Sequence, residues 1–344
     1  MSPKNLNVPN KTHKNLLNFL TDKRIFQIYR KFETIFSLDQ DFIVGVSGGP
    51  DSLALCFLTK IYSIKKSLNV YYFIVDHRLR TNSSSEAQSV KNLLKKFKIK
   101  SDILKWYGKK PLGNIQSLAR NKRYSLLISQ AKKLNIKNIL TGHQIDDLYE
   151  NFFIRFSRGS GLKGLVSFNE KTEKNEVNIL RPLIGFDKKH LKYVTTKVFK
   201  SYIEDPSNED NKFKRVRIRK LITNLQNDGL DKNKFLLTIK NLRDSNETIK
   251  FYVAKNLRDN SFIYKNKNKI ILNREFFNHP HEVIFRSLTE IIKFIGNKYY
   301  YARGKKVDNI INKLKRENRI PLKLTLGNCI IHKFNQTIIV VKEH

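Results

Sequence analysis

Cysteine is almost missing from this chain of 344 residues: Cys56 and Cys329 are its only two, far apart and in no C-x-x-C arrangement. Two such residues argue against a disulfide framework, a zinc site or an iron–sulfur cluster, and a reducing, cytoplasmic setting is the expectation. Long apolar runs are missing as well. None is longer than residues 70–75, far short of the roughly 20 apolar residues that span a bilayer. Residues 1–23 break their apolar positions with Lys and Asn and offer no signal-peptide core, so a soluble protein with no membrane partner is expected. Acid is scarce: 30 Asp and Glu face 67 Lys and Arg, a formal net charge of +37. A coding bias towards Lys would enrich Glu alongside it, and Glu is not enriched. A polyanion, nucleic acid above all, is therefore the expected partner, held through counterion release.

Against that background one stretch stands out. Residues 42–46 are apolar, and Ser47-Gly48-Gly49-Pro50-Asp51-Ser52 follows before apolar residues return at helical spacing. Strand, phosphate-binding turn and helix are the expected order. The glycines allow a tight turn with exposed N–H groups, and the helix adds the positive end of its dipole. No lysine follows the glycines, so this is not the G-x-x-x-x-G-K-[ST] loop. A plain Gly-Gly turn opening an ordinary helix is the competing reading.

Further along, apolar runs alternate with amphipathic stretches. Ile25, Ile28, Tyr29, Phe32, Ile35 and Phe36 give a leading helical face; residues 70–77 read as a strand buried on both sides, ending in Asp76 and His77. Ser83 to Glu86 has capping-box spacing for a helix through Phe97, a weaker strand lies near Ile103, and Asn114 is placed to cap a helix over 115–134. Residues 138–143 form a further strand, 145–158 a helix, and the glycine-rich 158–165 a loop. The expected class is α/β: a doubly wound, mostly parallel sheet whose strand ends gather the site, then a helical region and a small C-terminal α+β domain. The expected domains are 1–222 (catalytic), 223–298 (helical, contacting RNA) and 299–344, the last with a helix near 307–315 and a hairpin from runs 322–331 and 337–341.

Three constellations carry chemistry. His143 and Asp147 lie four apart at a helix start beside Asp146; paired carboxylates next to a polyphosphate suit magnesium, while acids at a helix start also simply complement its dipole. Arg120 and Arg123 share a helical face, fit to clamp a phosphate or to form part of a solvated surface. In residues 212–220 basic side chains alternate with apolar ones, with Arg215, Arg217 and Arg219 placed to follow an RNA backbone.

These stretches together resemble the tRNA(Ile)-lysidine synthetase family. Residues 47–52 are similar to the S-G-G-x-D-S signature of the wider PP-loop ATP pyrophosphatases. Val75 to Arg80 resembles V-D-H-x-L-R, Gln116 to Tyr124 Q-x-x-A-R-x-x-R-Y, Thr141 to Asp147 T-A-H-H-x-D-D, Arg158 to Leu165 R-G-S-G-L-x-G-L, and Asp205 to Arg219 D-P-S-N followed by R-N-x-x-R. Gly142, Gln144, Leu148 and Val216 depart from the pattern; Arg120, His143, Asp147, Arg215 and Arg219 keep it. The resemblance implies ATP and Mg2+ as cofactors, and as partners free L-lysine and an isoleucine tRNA with a CAU anticodon. It implies a C–N ligase in which O2 of the wobble cytosine attacks the α-phosphate, releasing diphosphate, and the lysine ε-amine then displaces AMP at C2. Ser47, Gly48, Gly49, Pro50, Asp51 and Ser52 would bind ATP, Asp51 and Asp147 the metal; His143 would accept a proton and Arg120 stabilise charge. Competing functions are a PP-loop tRNA thiolation enzyme, which needs reactive cysteines, a small-molecule ligase, and a non-catalytic RNA-binding protein. Oligomeric state stays open, a homodimer included.

Overall fold

Phe42-Ile-Val-Gly-Val46 carries no polar side chain, and it forms β1 (Phe42–Val46), the strand about which the first half of the chain is laid out. The computed structural model describes residues 14–79, 81–108, 115–204, 214–264, 268–298, 302–316 and 321–343. They fall into two units, Met1–Leu230 and Asp231–His344.

In the first unit, α1 (Lys14–Leu17) and α2 (Lys23–Ile35) precede β1. Asp22 caps α2 by accepting from the amides of Arg24 and Ile25, and Ile25, Ile28, Tyr29 and Phe32 are buried as expected; Ile35, assigned to the same face, is instead 53% exposed. After β1 come α3 (Pro50–Lys66), β2 (Val70–Asp76), α4 (Ser83–Lys96), β3 (Ser101–Lys105), α5 (Ile115–Lys133), β4 (Asn138–Thr141), α6 (Ile145–Phe156), the one-turn α7 (Leu162–Leu165), β5 (Lys171–Lys174), β6 (Val177–Leu180), α8 (Lys188–Phe199) and α9 (Lys214–Asn227). The glycine-rich stretch expected as a loop thus includes a turn of helix.

Strand order is β3-β2-β1-β4-β6-β5, every pairing parallel except that of the edge strand β5. This is the expected doubly wound sheet. Two apolar clusters cover its faces: one joins α2, α3 and α8 to residues such as Val44 and Ile74, the other joins α5 to Ile43, Phe73 and Ile139. Successive strands are added to one side of β1 up to β3 and to the other side from β4 on, so the strand order switches between β1 and β4, and the crevice at such a switch point is where ligands of open α/β sheets bind.

α4 starts where the expected capping box would put it, yet no side chain caps it. Ser83 and Ser84 donate instead to the two oxygens of Asp76, at 2.9 and 2.6 Å, and the Arg78 amide also donates at 2.9 Å. Burial works against the Asp76 charge, but these donors win and hold its carboxyl below the usual range.

The second unit contains α10 (Lys232–Asn260), β7 (Ser261–Ile263), β8 (Lys269–Leu272), α11 (His281–Ile295), α12 (Gly304–Arg316), β9 (Leu322–Thr325), β10 (Cys329–Phe334) and β11 (Thr337–Lys342). Its antiparallel sheet runs β7-β8-β11-β10-β9. The expected hairpin is β10–β11, but the run 322–331 is broken into β9 and β10 by a turn at Gly327 (φ +64°). Where the sequence suggests separate parts meeting at 298, one core joins Ile284, Leu288 and Ile292 of α11 to Ile331, Val340 and Ile311.

Candidate active site

Gly49 is the N-cap of α3, Pro50 opens its first turn and Asp51 lies in that turn, a start that suits proline, whose missing N–H is no loss there. Gly48 has φ +83°, and a Cβ on it would stand 2.5 Å from Val90 Cγ2, so this position takes glycine for two separate reasons. The loop is tied from within. The Ser52 hydroxyl donates to Gly49 O at 3.0 Å, the Ser47 amide donates to Ser52 Oγ at 3.2 Å, and the two serine hydroxyls are 3.2 Å apart. From outside, the Ile203 amide donates to Gly48 O and the Thr195 hydroxyl to Pro50 O.

α6 approaches the same crevice from β4. Gly142 sits so close to α3 that a Cβ there would be 2.9 Å from Ser52 Cα and 3.0 Å from its nitrogen. The capping box absent from α4 is found here: the Asp146 amide donates to Gln144 Oε1, and the Gln144 amide donates to Asp147 Oδ2 at 2.9 Å. One oxygen of Asp147 is therefore spent on the helix start, which realises the dipole-complementing reading and leaves the other oxygen for a ligand. Asp51 Oδ1 is buried without a hydrogen-bond partner. Burial first, and the nearby Asp147 charge second, push the Asp51 carboxyl up to about 7, against the pull of Lys188. Asp147 is raised too, by burial, but the Gln144 amide and then Arg120, Arg219 and Arg215 oppose this.

On the other flank α5 presents two arginines to two histidines at strand ends. Arg120 Nη1 lies 3.2 Å from His143 Nε2, after β4, and Arg123 Nε lies 3.4 Å from His77 Nε2, after β2. Arginine has only donors, so Nε2 of His143 must be the acceptor. The proton of His143 then sits on Nδ1 and is donated to Thr141 Oγ1, 2.9 Å away, which in turn donates to Leu180 O. His143 is neutral. Burial, followed by the charges of Arg120, Arg181, Arg123 and Arg215, holds its pKa well below the ordinary histidine value. Phe168 meets His143 edge-on at 5.3 Å and lies under Arg181 at 4.7 Å.

Arg120, His143, Asp147, Glu150, Asn151, Ile154, Phe168 and Arg215 line one pocket. Glu150, only 4% exposed, is ion-paired with Arg219. The basic strip therefore divides: Val216 and Ile218 are buried, Arg219 is fixed on Glu150, Arg215 faces the pocket, and Arg217 is exposed on α9. Sequence reasoning missed Glu150, Phe168 and Lys188. Glu150 stands three residues after Asp147, on the same helical face, which is a signal that spacing alone supplies. Arg80, Asn114, residues 205–208, Lys212 and Phe213 lie outside the described residues.

Among the described residues no group of three or more His, Cys, Asp or Glu is placed to hold a metal. Mg2+ asks for less, usually one or two carboxylates with substrate phosphate and water completing the shell. The orphaned oxygen of Asp51 and the free oxygen of Asp147, two charges that burial and mutual repulsion disfavour, fit that donor set. Cys56 and Cys329 are both buried, and burial pushes the Cys56 thiol up and the Cys329 thiol to about 11.

A family model described as a PP-loop domain matches residues 19–226. Among curated proteins, a tRNA(Ile)-lysidine synthase of Wolbachia sp. subsp. Brugia malayi (strain TRS) is 32% identical over 303 residues, covering 87% of this chain and 70% of its own length. Another, of Orientia tsutsugamushi (strain Boryong), is 34% identical over 312 residues, covering 87% and 69%. Among solved structures, a U34-tRNA thiolase of Methanococcus maripaludis with its 4Fe–4S cluster superposes with a TM-score of 0.56 at 16% identity, over 64% of this chain and 80% of that one. That likeness shows the fold.

Proposed function

The chain belongs to the tRNA(Ile)-lysidine synthase family of PP-loop enzymes, and from this we propose that it couples free L-lysine to C2 of the wobble cytidine in an isoleucine tRNA with a CAU anticodon, in two steps at the β1/β4 crevice. The observation that carries the reading is that the phosphate loop, the Asp51/Asp147 pair and the Arg120–His143 pair converge on one switch point. ATP is the activating substrate. The backbone of Gly48 and Gly49 with the hydroxyls of Ser47 and Ser52 receives its β- and γ-phosphates, as turn amides and a helix start receive anions. Asp51 and Asp147 would hold Mg2+, which supplies neutralising charge to the phosphates.

The roles of the remaining side chains follow from their bonds. Arg120 is held beside the crevice by His143 and Tyr124, and on turning to the α-phosphate it stabilises the charge that develops there as cytosine O2 attacks. His143 is a neutral acceptor whose lone pair is engaged by Arg120. It becomes a base for the incoming amine once Arg120 turns to the phosphate, and its neutrality keeps that lone pair present at pH 7. Glu150, the lining acid that the metal does not engage, is the acceptor for the α-ammonium of lysine. Arg215 and Arg217 contact RNA phosphates.

Thiolation by the same superfamily is the rival reading. It requires a thiolate or a cluster ligand, and the buried, high-pKa Cys56 and Cys329 disfavour the thiolate form. The experiment is mass spectrometry of the wobble nucleoside after incubation of tRNA with ATP, magnesium and either lysine or ornithine. Lysidine should form with lysine, and ornithine, one methylene shorter, should react on the order of 10²-fold more slowly because its amine stops about an ångström short of C2. Sulfur incorporation, or equal use of both amines, would refute the reading.

A further inference from the structure

The phosphate loop brings no cation of its own. In the G-x-x-x-x-G-K-[ST] loop a lysine directly after the glycines reaches the β- and γ-phosphates. Here Pro50, Asp51 and Ser52 follow the glycines instead, so the loop sets a carboxyl where that loop sets an ammonium. A point charge for the phosphates has to come from another segment.

α8 carries one to the same edge of the sheet. β6 runs parallel to β4 and β4 to β1, so α8, α6 and α3, the helices that follow β6, β4 and β1, all start at the carboxyl ends of the strands. Two bonds tie the start of α8 to the two sides of the crevice. Just before the helix, Phe186 O accepts from the amide of Ile145, the first residue of α6; further along it, the Thr195 hydroxyl donates at 2.7 Å to Pro50 O, in the first turn of α3. Lys188 is the first residue of α8, between these two anchors, and it is exposed. Two cations oppose the rise of the Asp51 carboxyl, Lys188 more strongly than Arg219, and Arg219 is already fixed on Glu150.

The start of α8 is built against its own dipole. It opens on Lys188 and Lys189 with no acid in the first turn. Cations there face the positive end of the helix, an arrangement that costs stability by itself and that a bound anion offsets.

We propose that Lys188 supplies the cation the phosphate loop lacks, its Nζ meeting the β- and γ-phosphates of ATP and then the departing diphosphate. This rests on the reading of residues 47–52 as the seat of those phosphates. When cytosine O2 bonds to the α-phosphorus, the bond from that phosphorus to the bridging oxygen breaks, and its electron pair leaves on diphosphate, where the ammonium offsets the added charge.

The test is equilibrium binding of ATP, AMP and inorganic diphosphate to the full chain in Mg2+, without tRNA or lysine, so that it does not depend on which nucleoside is made. Wild type, K188M, K188R and K189M are compared; K188M keeps an apolar stem and removes only the charge. K188M should bind ATP and diphosphate about 10- to 100-fold more weakly, as for one lost charge-assisted bond, and AMP within about twofold of wild type. K188R, whose guanidinium also meets phosphate, should keep most of the preference for ATP over AMP. K189M removes the neighbouring charge, about 100° round the helix, and should behave as wild type. Unchanged ATP affinity in K188M, an equal loss for AMP, or an equal loss in K189M would overturn the role of Lys188 while leaving the loop as the phosphate seat. A wild type that binds AMP as tightly as ATP would overturn the loop reading and the proposal together.

Discussion

Replacing Asp51 with Asn removes a charge that the folded chain holds at a disadvantage, so it should separate stability from activity. The carboxyl moves from an ordinary value of 3.8 to about 7 because it is buried and faces Asp147. Between those two values the folded chain carries a proton that the unfolded chain has released, so stability falls as pH rises from about 4 to about 7 and is flat above. At 1.36 kcal/mol per pKa unit the whole effect is roughly 4 kcal/mol, of which about 2 to 3 kcal/mol lies between pH 5 and pH 8. Asn does not titrate. Relative to wild type, D51N should therefore gain about 2 to 3 kcal/mol of unfolding free energy on going from pH 5 to pH 8 in the absence of nucleotide. Urea unfolding at the two pH values reads this change directly, and it is insensitive to whatever constant penalty the buried amide incurs.

The same variant should lose tRNA-dependent release of diphosphate at every pH, since the oxygen proposed to meet the metal has become a neutral amide. Mg2+ with ATP should raise the urea midpoint of wild type and leave that of D51N nearly unmoved. A pH-independent stability difference would refute the buried-charge argument. Wild-type diphosphate release in D51N would refute the metal assignment.

Neutralising Arg215 and Arg217 should weaken tRNA binding, and the slope of log affinity against log salt should become shallower by about one for each phosphate contact removed; an unchanged slope would return both side chains to the solvated surface. Removing either partner of the Glu150–Arg219 pair should destabilise the chain, by about 2 kcal/mol because Arg219 is partly exposed and the full loss for buried pairs is 3–5. The double variant E150Q/R219Q should recover part of that loss in urea unfolding, and strict additivity of the two single losses would show that the bond carries no coupling.

The elements that the sequence revealed are those whose local pattern and tertiary environment agree. β1 and β2 are apolar on both faces because helices cover both faces, and the phosphate turn requires glycine wherever its φ is positive; both constraints are written at the position itself. Short strands β7 and β8 were not legible. Three or four residues between a 29-residue helix and a 3-10 turn carry too few alternations to stand out, and only pairing defines them, β8 with β11 and β7 with β8. Ser83 and Glu86 mislead for a related reason: the serines have a stronger acceptor in Asp76, seven residues earlier, and spacing along one helix cannot report on a strand end.

The site divides in the same way. Residue types in a motif announce the chemistry, but which bond each makes depends on neighbours from other segments. Asp147 was legible as either a helix cap or a metal ligand, and its two oxygens allow both, one bound to the Gln144 amide and one left over. His143 was legible as a base; that its lone pair already belongs to Arg120 follows only from α5 lying across β4. Arg219 looked like its neighbours Arg215 and Arg217 in a uniform basic strip, and what distinguishes it is Glu150, distant in sequence: its spacing from Asp147 marks a shared helical face, but not that Arg219 is its partner. A charged strip on a basic chain is thus not one surface: an acid from another helix turns one of its members inward, and the remaining arginines are then the ones to test against RNA.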